Sequence, residues 1–213
     1  MSKECEDLHN LFNSMPRIKF PFDERLIPEN GIYILFEKNE SGHGKDRIVR
    51  IGTHTGRNKL LSRLKEHFVN ENKDRSIFRK NIGRALLAKD KDPYLTSWEL
   101  DILTIKGKKD NLYKINLEKQ KEIEKRVTKC MRDNFSLVVF PVDEKNKRLE
   151  LESKIISTIS LCCECEPSKD WLGLFSPKEK IRKSGLWIVN ELWKTPLSNK
   201  DIEELKTIIN HAS

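Results

Sequence analysis

A chain of 213 residues, 37% hydrophobic and 35% charged, is long enough to bury a core and describes a soluble protein with a heavily charged surface. The net charge of +8 favours polyanionic partners, and five cysteines, with three crowded at Cys162, Cys163 and Cys165, do not resemble a secreted disulfide framework. The start MSKECEDLHN is too charged for a signal peptide and no run approaches the length of a membrane span, so a cytoplasmic protein with reduced thiols is expected.

In chain order, residues 1–27 read as a leader with a short helix near Glu6 to Met15, followed by Pro16, Pro21 and Pro28 in extended loop. GIYILFE, Gly31 to Glu37, is a β-rich apolar run, and Arg47 to Gly52 is a second strand. The polar NESGHGKD between them is a hairpin loop by composition. Arg57 to Asn70 is helical, with Leu60, Leu61, Leu64 and Phe68 as its apolar stripe, and Ser76 to Lys89 is a second helix. Trp98 to Ile105 fits a strand. Asn116 to Asp133 is a charged, solvent-exposed helix or part of an insertion, and Phe135 to Val142 is a clear strand. Leu149 to Leu161 is a helix, and the tail closes with a helix opened by Ser198, whose spacing to Asp201 is that of a capping box.

Charge is unevenly placed. Between Arg57 and Arg84 nine basic residues face three acidic ones, a surplus of six. Either this is a solvated helix face, or Arg57, Lys59, Arg75, Arg79, Lys80 and Arg84 meet a nucleic-acid backbone.

The order strand, hairpin, strand, basic helix, inserted material, strand, helix resembles the GIY-YIG nuclease family. The residues that carry the resemblance are Gly31-Ile32-Tyr33, the Ile51-Gly52 pair, Arg63 and His67 spaced as Arg-x-x-x-His, and Glu152 in Glu-x-x-Ile-Ile. Arg50-Ile51-Gly52 stands where the family has Tyr-Ile-Gly. The resemblance covers roughly residues 28–160, with an insertion at about 70–134. It implies an α/β (α+β) fold, a small, mainly antiparallel three-stranded sheet flanked by helices. The domain would span 28–162, and 163–213 would form a C-terminal extension packed on it.

The residue chemistry is compatible with that resemblance. Glu150 has Lys154 one turn on and reads as an exposed ion pair. Glu152 has Ile155, Ile156 and Ile159 on its own face, so its carboxylate points toward the core, where it needs a buried arginine or a bound cation. Mg²⁺ (or Mn²⁺) accepts one carboxylate plus waters and phosphate oxygens. Arg63 can fork onto a phosphate oxygen or be one more surface cation. His67 can relay a proton or be a satisfied histidine at the edge of the core. A strand tyrosine is usually packing, but the resemblance makes Tyr33 the residue that orients or deprotonates the attacking water. Arg50 cannot act as a base. It either supports the Tyr33 phenolate or a phosphate, with His54 or Tyr33 activating water, or it pairs with Glu37 or another acidic neighbour. Cys162, Cys163 and Cys165 lack paired Cys-x-x-Cys spacing and a nearby histidine, so buried thiols at a helix end are the simpler account.

The expected function is a one-metal endonuclease acting on DNA, most simply double-stranded. The alternatives are a nucleic-acid-binding relative without cleavage and a protein-interaction module with a basic surface. Oligomeric state, target sequence and biological setting are left open.

Overall fold

The structure, a computed structural model, describes residues 2–211. In chain order it comprises α1 (Ser2–Asn13), β1 (Ile18–Lys19), β2 (Gly31–Gly42), β3 (Lys45–Gly52), α2 (Leu60–Phe68), α3 (Ile77–Lys89), α4 (Leu95–Trp98), α5 (Ile105–Asn111), α6 (Leu117–Asn134), β4 (Phe135–Pro141), α7 (Lys145–Ser160), α8 (Glu179–Ser184) and α9 (Asn199–Asn210), with short 3-10 turns between some of them. No helix among the described residues is long and apolar enough to cross a membrane.

The sheet has four antiparallel strands in the order β1-β4-β2-β3, one more than the three expected. The extra strand is two residues, Ile18 and Lys19, pairing at the edge with Leu137 and Ser136. A strand that short leaves no periodicity to read. β2 is continuously apolar at its start because helices cover both faces of the sheet. Ile32, Ile34, Phe36, Val138 and Phe140 face α1, α7 and α9, while Tyr33, Leu35, Phe135 and Leu137 face α2, α3 and α6. From α6, predicted to be solvent-exposed, Ile123, Val127 and Met131 enter the second core.

Two other expectations change. The hairpin loop contracts to His43 and Gly44, both with positive φ, as a two-residue turn with inverted dihedrals requires. β2 and β3 therefore run on to Gly42 and Lys45, which pair. The strand predicted at Trp98 to Ile105 is absent. Trp98 ends α4 and lies against Gly83, where a Cβ would come within 2.3 Å of the indole, and Thr104 caps α5 by accepting from the Gly107 N–H. Cap chemistry outweighed the alternating pattern there.

A bulge in β3 decides where Arg50 points. Leu35 pairs with Arg50 but Phe36 pairs with Ile48, so Val49 is an extra residue. Strict alternation would put Arg50 on the face of Ile48. Instead Ile48 and Ile51 enter the first core, and Val49 enters the second, where Arg50 lies beside Tyr33 and Phe78.

Candidate active site

The site begins with two glycines. At Gly31 a Cβ would lie 2.3 Å from the Phe140 carbonyl oxygen, and at Gly52, opposite Tyr33 in the ladder, it would lie 2.2 Å from the Tyr33 hydroxyl. The phenol occupies the space that a side chain at position 52 would need, so the glycine of the second motif makes room for the tyrosine of the first.

Tyr33, His67 and Arg50 are brought together. Tyr33 Oη lies 2.8 Å from His67 Nε2, and His67 Nδ1 lies 2.7 Å from Ser76 Oγ. Arg50 Nε donates to Tyr33 Oη at 3.4 Å, while its Nη1 donates to the Trp187 carbonyl and its guanidinium lies over the Phe78 ring. The pairing of Arg50 with Glu37 does not form, because Glu37 is taken by the indole N–H groups of Trp171 and Trp187. His67 is wholly buried. Burial, reinforced by Arg63, Arg50 and Arg79, holds its imidazole well below the usual range, so the ring is neutral.

Glu152 is half-buried on α7 and makes no ion pair among the described residues. Burial raises its carboxyl above the ordinary value, opposed by Arg50 and by the Thr53 backbone N–H that it accepts. A desolvated hard-oxygen donor with an unused coordination face fits a divalent cation. The position of Glu150 is as expected: it is exposed and paired with Lys154 at 2.7 Å.

Thr53 also lines an open depression of about 550 Å³ with Gly56, Lys59, Ser62 and Arg63. Arg63 reaches it from α2, steadied by Glu66 and by the Arg75 carbonyl. The loop beneath is pinned by Thr53 Oγ1 to the Gly31 carbonyl and by reciprocal bonds between Asn30 and Asn58.

His54 lines the same depression, and both of its ring nitrogens are engaged by the loop. Its Nδ1 meets the Gly56 carbonyl at 2.6 Å and its Nε2 accepts the Gly31 N–H at 3.3 Å, so the ring fastens the loop, and burial holds its imidazole below the usual value. Three of the six cations assigned to nucleic acid are corrected. Arg79 is fully buried and binds Glu124, Thr128 and the His67 carbonyl. Arg84 is clamped by Glu99 and Asn81, and Lys80 by Asp74 and the Glu99 carbonyl. Arg57, Lys59 and Arg75 are exposed. Residues not anticipated are Ser76, whose cap position before α3 was a usable signal, and Arg148, which holds the Val142 and Asp143 carbonyls with no local sequence signal.

Of the comparisons with known proteins, one matches: a family model described as the GIY-YIG domain covers residues 5–213. No curated protein and no solved structure matches the chain. The match takes in the helices at both ends as well as the hairpin and the Tyr33 site, and the chain belongs to the GIY-YIG domain family.

Proposed function

We propose that the protein is a metal-dependent endonuclease that hydrolyses phosphodiester bonds in DNA. The observation that carries this reading is the line from Ser76 through His67 to the Tyr33 hydroxyl, with Arg50 donating to the same oxygen. GIY-YIG domains are typically nucleases.

Ser76 Oγ accepts the Arg79 N–H as a helix cap, so its own proton is free to donate to His67 Nδ1. His67 Nε2–H then donates to the Tyr33 oxygen. With Arg50 as a second donor, the Tyr33 oxygen is fixed as the group that orients or deprotonates the attacking water. Arg63 holds a non-bridging phosphate oxygen and meets charge that grows in the transition state. Glu152 would hold Mg²⁺ or Mn²⁺, whose chemistry when bound is Lewis-acid polarisation of the phosphodiester. Arg57, Lys59 and Arg75 contact backbone phosphates beside the depression.

A second reading, DNA binding without cleavage, is favoured by one observation: Tyr33 is closed off from solvent, beside an arginine at the second motif. Plasmid nicking with Mg²⁺ or Mn²⁺ separates the two. Wild type should nick, and Glu152→Gln should not, while its DNA affinity stays nearly unchanged because phosphate contacts dominate binding. Equal nicking by Glu152→Gln would remove Glu152 from the metal role. Salt-sensitive binding with no cleavage by wild type in either ion would establish the binding-only reading, and no salt-sensitive binding at all would leave an interaction module.

A further inference from the structure

At the turn of the β2–β3 hairpin, at the far end from Tyr33 and Gly52, four side chains from three separate segments converge. Cys5 and His9 lie one turn apart on α1, His43 is at the hairpin turn, and Cys165 follows α7. Their ligand atoms all lie within 4.8 Å of one another. Cys5 Sγ is 3.6 Å from Cys165 Sγ, and Cys165 Sγ is 3.9 Å from His9 Nε2. A tetrahedral ion with zinc's bond lengths would set these separations at ~3.8 Å and ~3.5 Å. The side chains of Cys5, His9 and Cys165 are buried, and that of His43 is only 5% exposed.

Two further features shape the cluster. Gly42 leaves space against it, since a Cβ there would stand 3.1 Å from Cys165 Sγ and 3.2 Å from His9 Nε2. The histidines are also oriented from outside. His9 Nδ1 lies 2.9 Å from the Cys5 carbonyl, so Nε2 carries the lone pair that faces Cys165; it takes the Ile48 N–H at 3.2 Å, a bond that an ion there would replace, and His43 Nδ1 faces the Glu164 carboxylate at 3.7 Å. Imidazoles held through their other nitrogen in this way are typical of zinc centres.

We propose that Cys5, His9, His43 and Cys165 form a Cys₂His₂ zinc site that ties α1, the hairpin turn and the segment after α7 together. Two thiolates and two imidazoles suit zinc rather than Mg²⁺, and with four protein ligands the site is closed and structural, distinct in chemistry and place from Glu152. Cys162, whose Sγ is 3.4 Å from His43 Nε2, is an outer neighbour, and Cys163 is exposed and uninvolved.

The test is metal analysis of the full chain purified without chelator. Wild type, Cys162→Ser and Cys163→Ser should carry about one zinc per chain, while Cys165→Ser and His43→Ala should carry close to none. Cobalt substitution of wild type should give the visible bands of a tetrahedral thiolate site. A mercurial titration should release the zinc from wild type, so the assignment does not depend on any variant folding. Removing the ion should lower the thermal midpoint by several degrees. Metal-free wild type, a Cys5–Cys165 disulfide by intact mass, or undiminished zinc in Cys165→Ser would each overturn the proposal, as would loss of zinc from Cys162→Ser for the stated ligand set.

Discussion

At position 50 the hairpin carries a guanidinium where the family motif has a second phenol. The group cannot take a proton from water, but the bulge at Val49 turns it onto the face of Tyr33, where one donor reaches the hydroxyl and another the Trp187 carbonyl. In the proposed mechanism Arg50 acts through Tyr33 by fixing the position of its oxygen. We expect Arg50→Gln to slow DNA cleavage by at least about tenfold, equivalent to about 1.4 kcal/mol in the barrier, at nearly unchanged DNA affinity. Arg50→Lys should recover only part of the loss, since an ammonium cannot span both acceptors in the same way. Wild-type cleavage by Arg50→Gln, with a comparable thermal midpoint, would leave the arginine as packing over Phe78. The substitution was visible in the sequence. Its direction was not, because the alternation rule gives the wrong face once a residue is inserted.

At the scale of elements, the basic segment from α2 into α3 divides by where its partners come from. Arg79 is tied across to α6 by Glu124, at 2.7 Å, with further bonds to Thr128 and to the His67 carbonyl, so it joins two helices and holds the end of a third. Removing one partner of a buried ion pair leaves the other charge uncompensated. Arg79→Met should therefore cost about 3–5 kcal/mol in denaturant unfolding. Replacing Arg57, Lys59 and Arg75 together by glutamine should leave stability nearly unchanged and lower the salt dependence of DNA binding by about one unit of slope per lost phosphate contact. If the slope is unaltered, these three belong to the solvated surface. A count of charges within residues 57–84 could not make this division, because Glu124 and Glu99 lie outside that window.

At the scale of the whole molecule, Glu37 on the central hairpin is where the C-terminal segment is fastened. Trp171 and Trp187 each donate an indole N–H to its Oε2 at 2.8 Å, and Trp187 also donates its backbone N–H to the Val49 carbonyl, covering the outer edge of β3. Burial pushes the Glu37 carboxyl up to about 7, against the pull of the two indoles and Arg47 and with the help of Glu40. In the unfolded chain the same group titrates near 4.3. Between those values the folded protein holds a proton that the unfolded chain has released. The contribution to stability is thus full below about 4.3 and is lost as pH rises through about 7. Comparing thermal midpoints of wild type and Glu37→Gln at pH 5 and pH 8 isolates this group. Wild type should fall further than the variant between the two pH values, whereas a constant offset would show that Glu37 does not titrate in that interval.

The sequence alone determined what depends on neighbours along the chain. The Ser198–Asp201 capping box, the Glu150–Lys154 pair and the main strands and helices were legible because their geometry repeats every two, three or four residues. It also brought Tyr33, Arg63, His67 and Glu152 forward as an ordered set. Only the tertiary structure decided the face of Arg50, the burial of Arg79, the bonds from His54 to Gly31 and Gly56 and the meeting of Cys165 with His9 and His43. Each of these turns on which distant segment packs against the residue, and that choice is made by the shared burial of two cores across one sheet rather than by any local pattern.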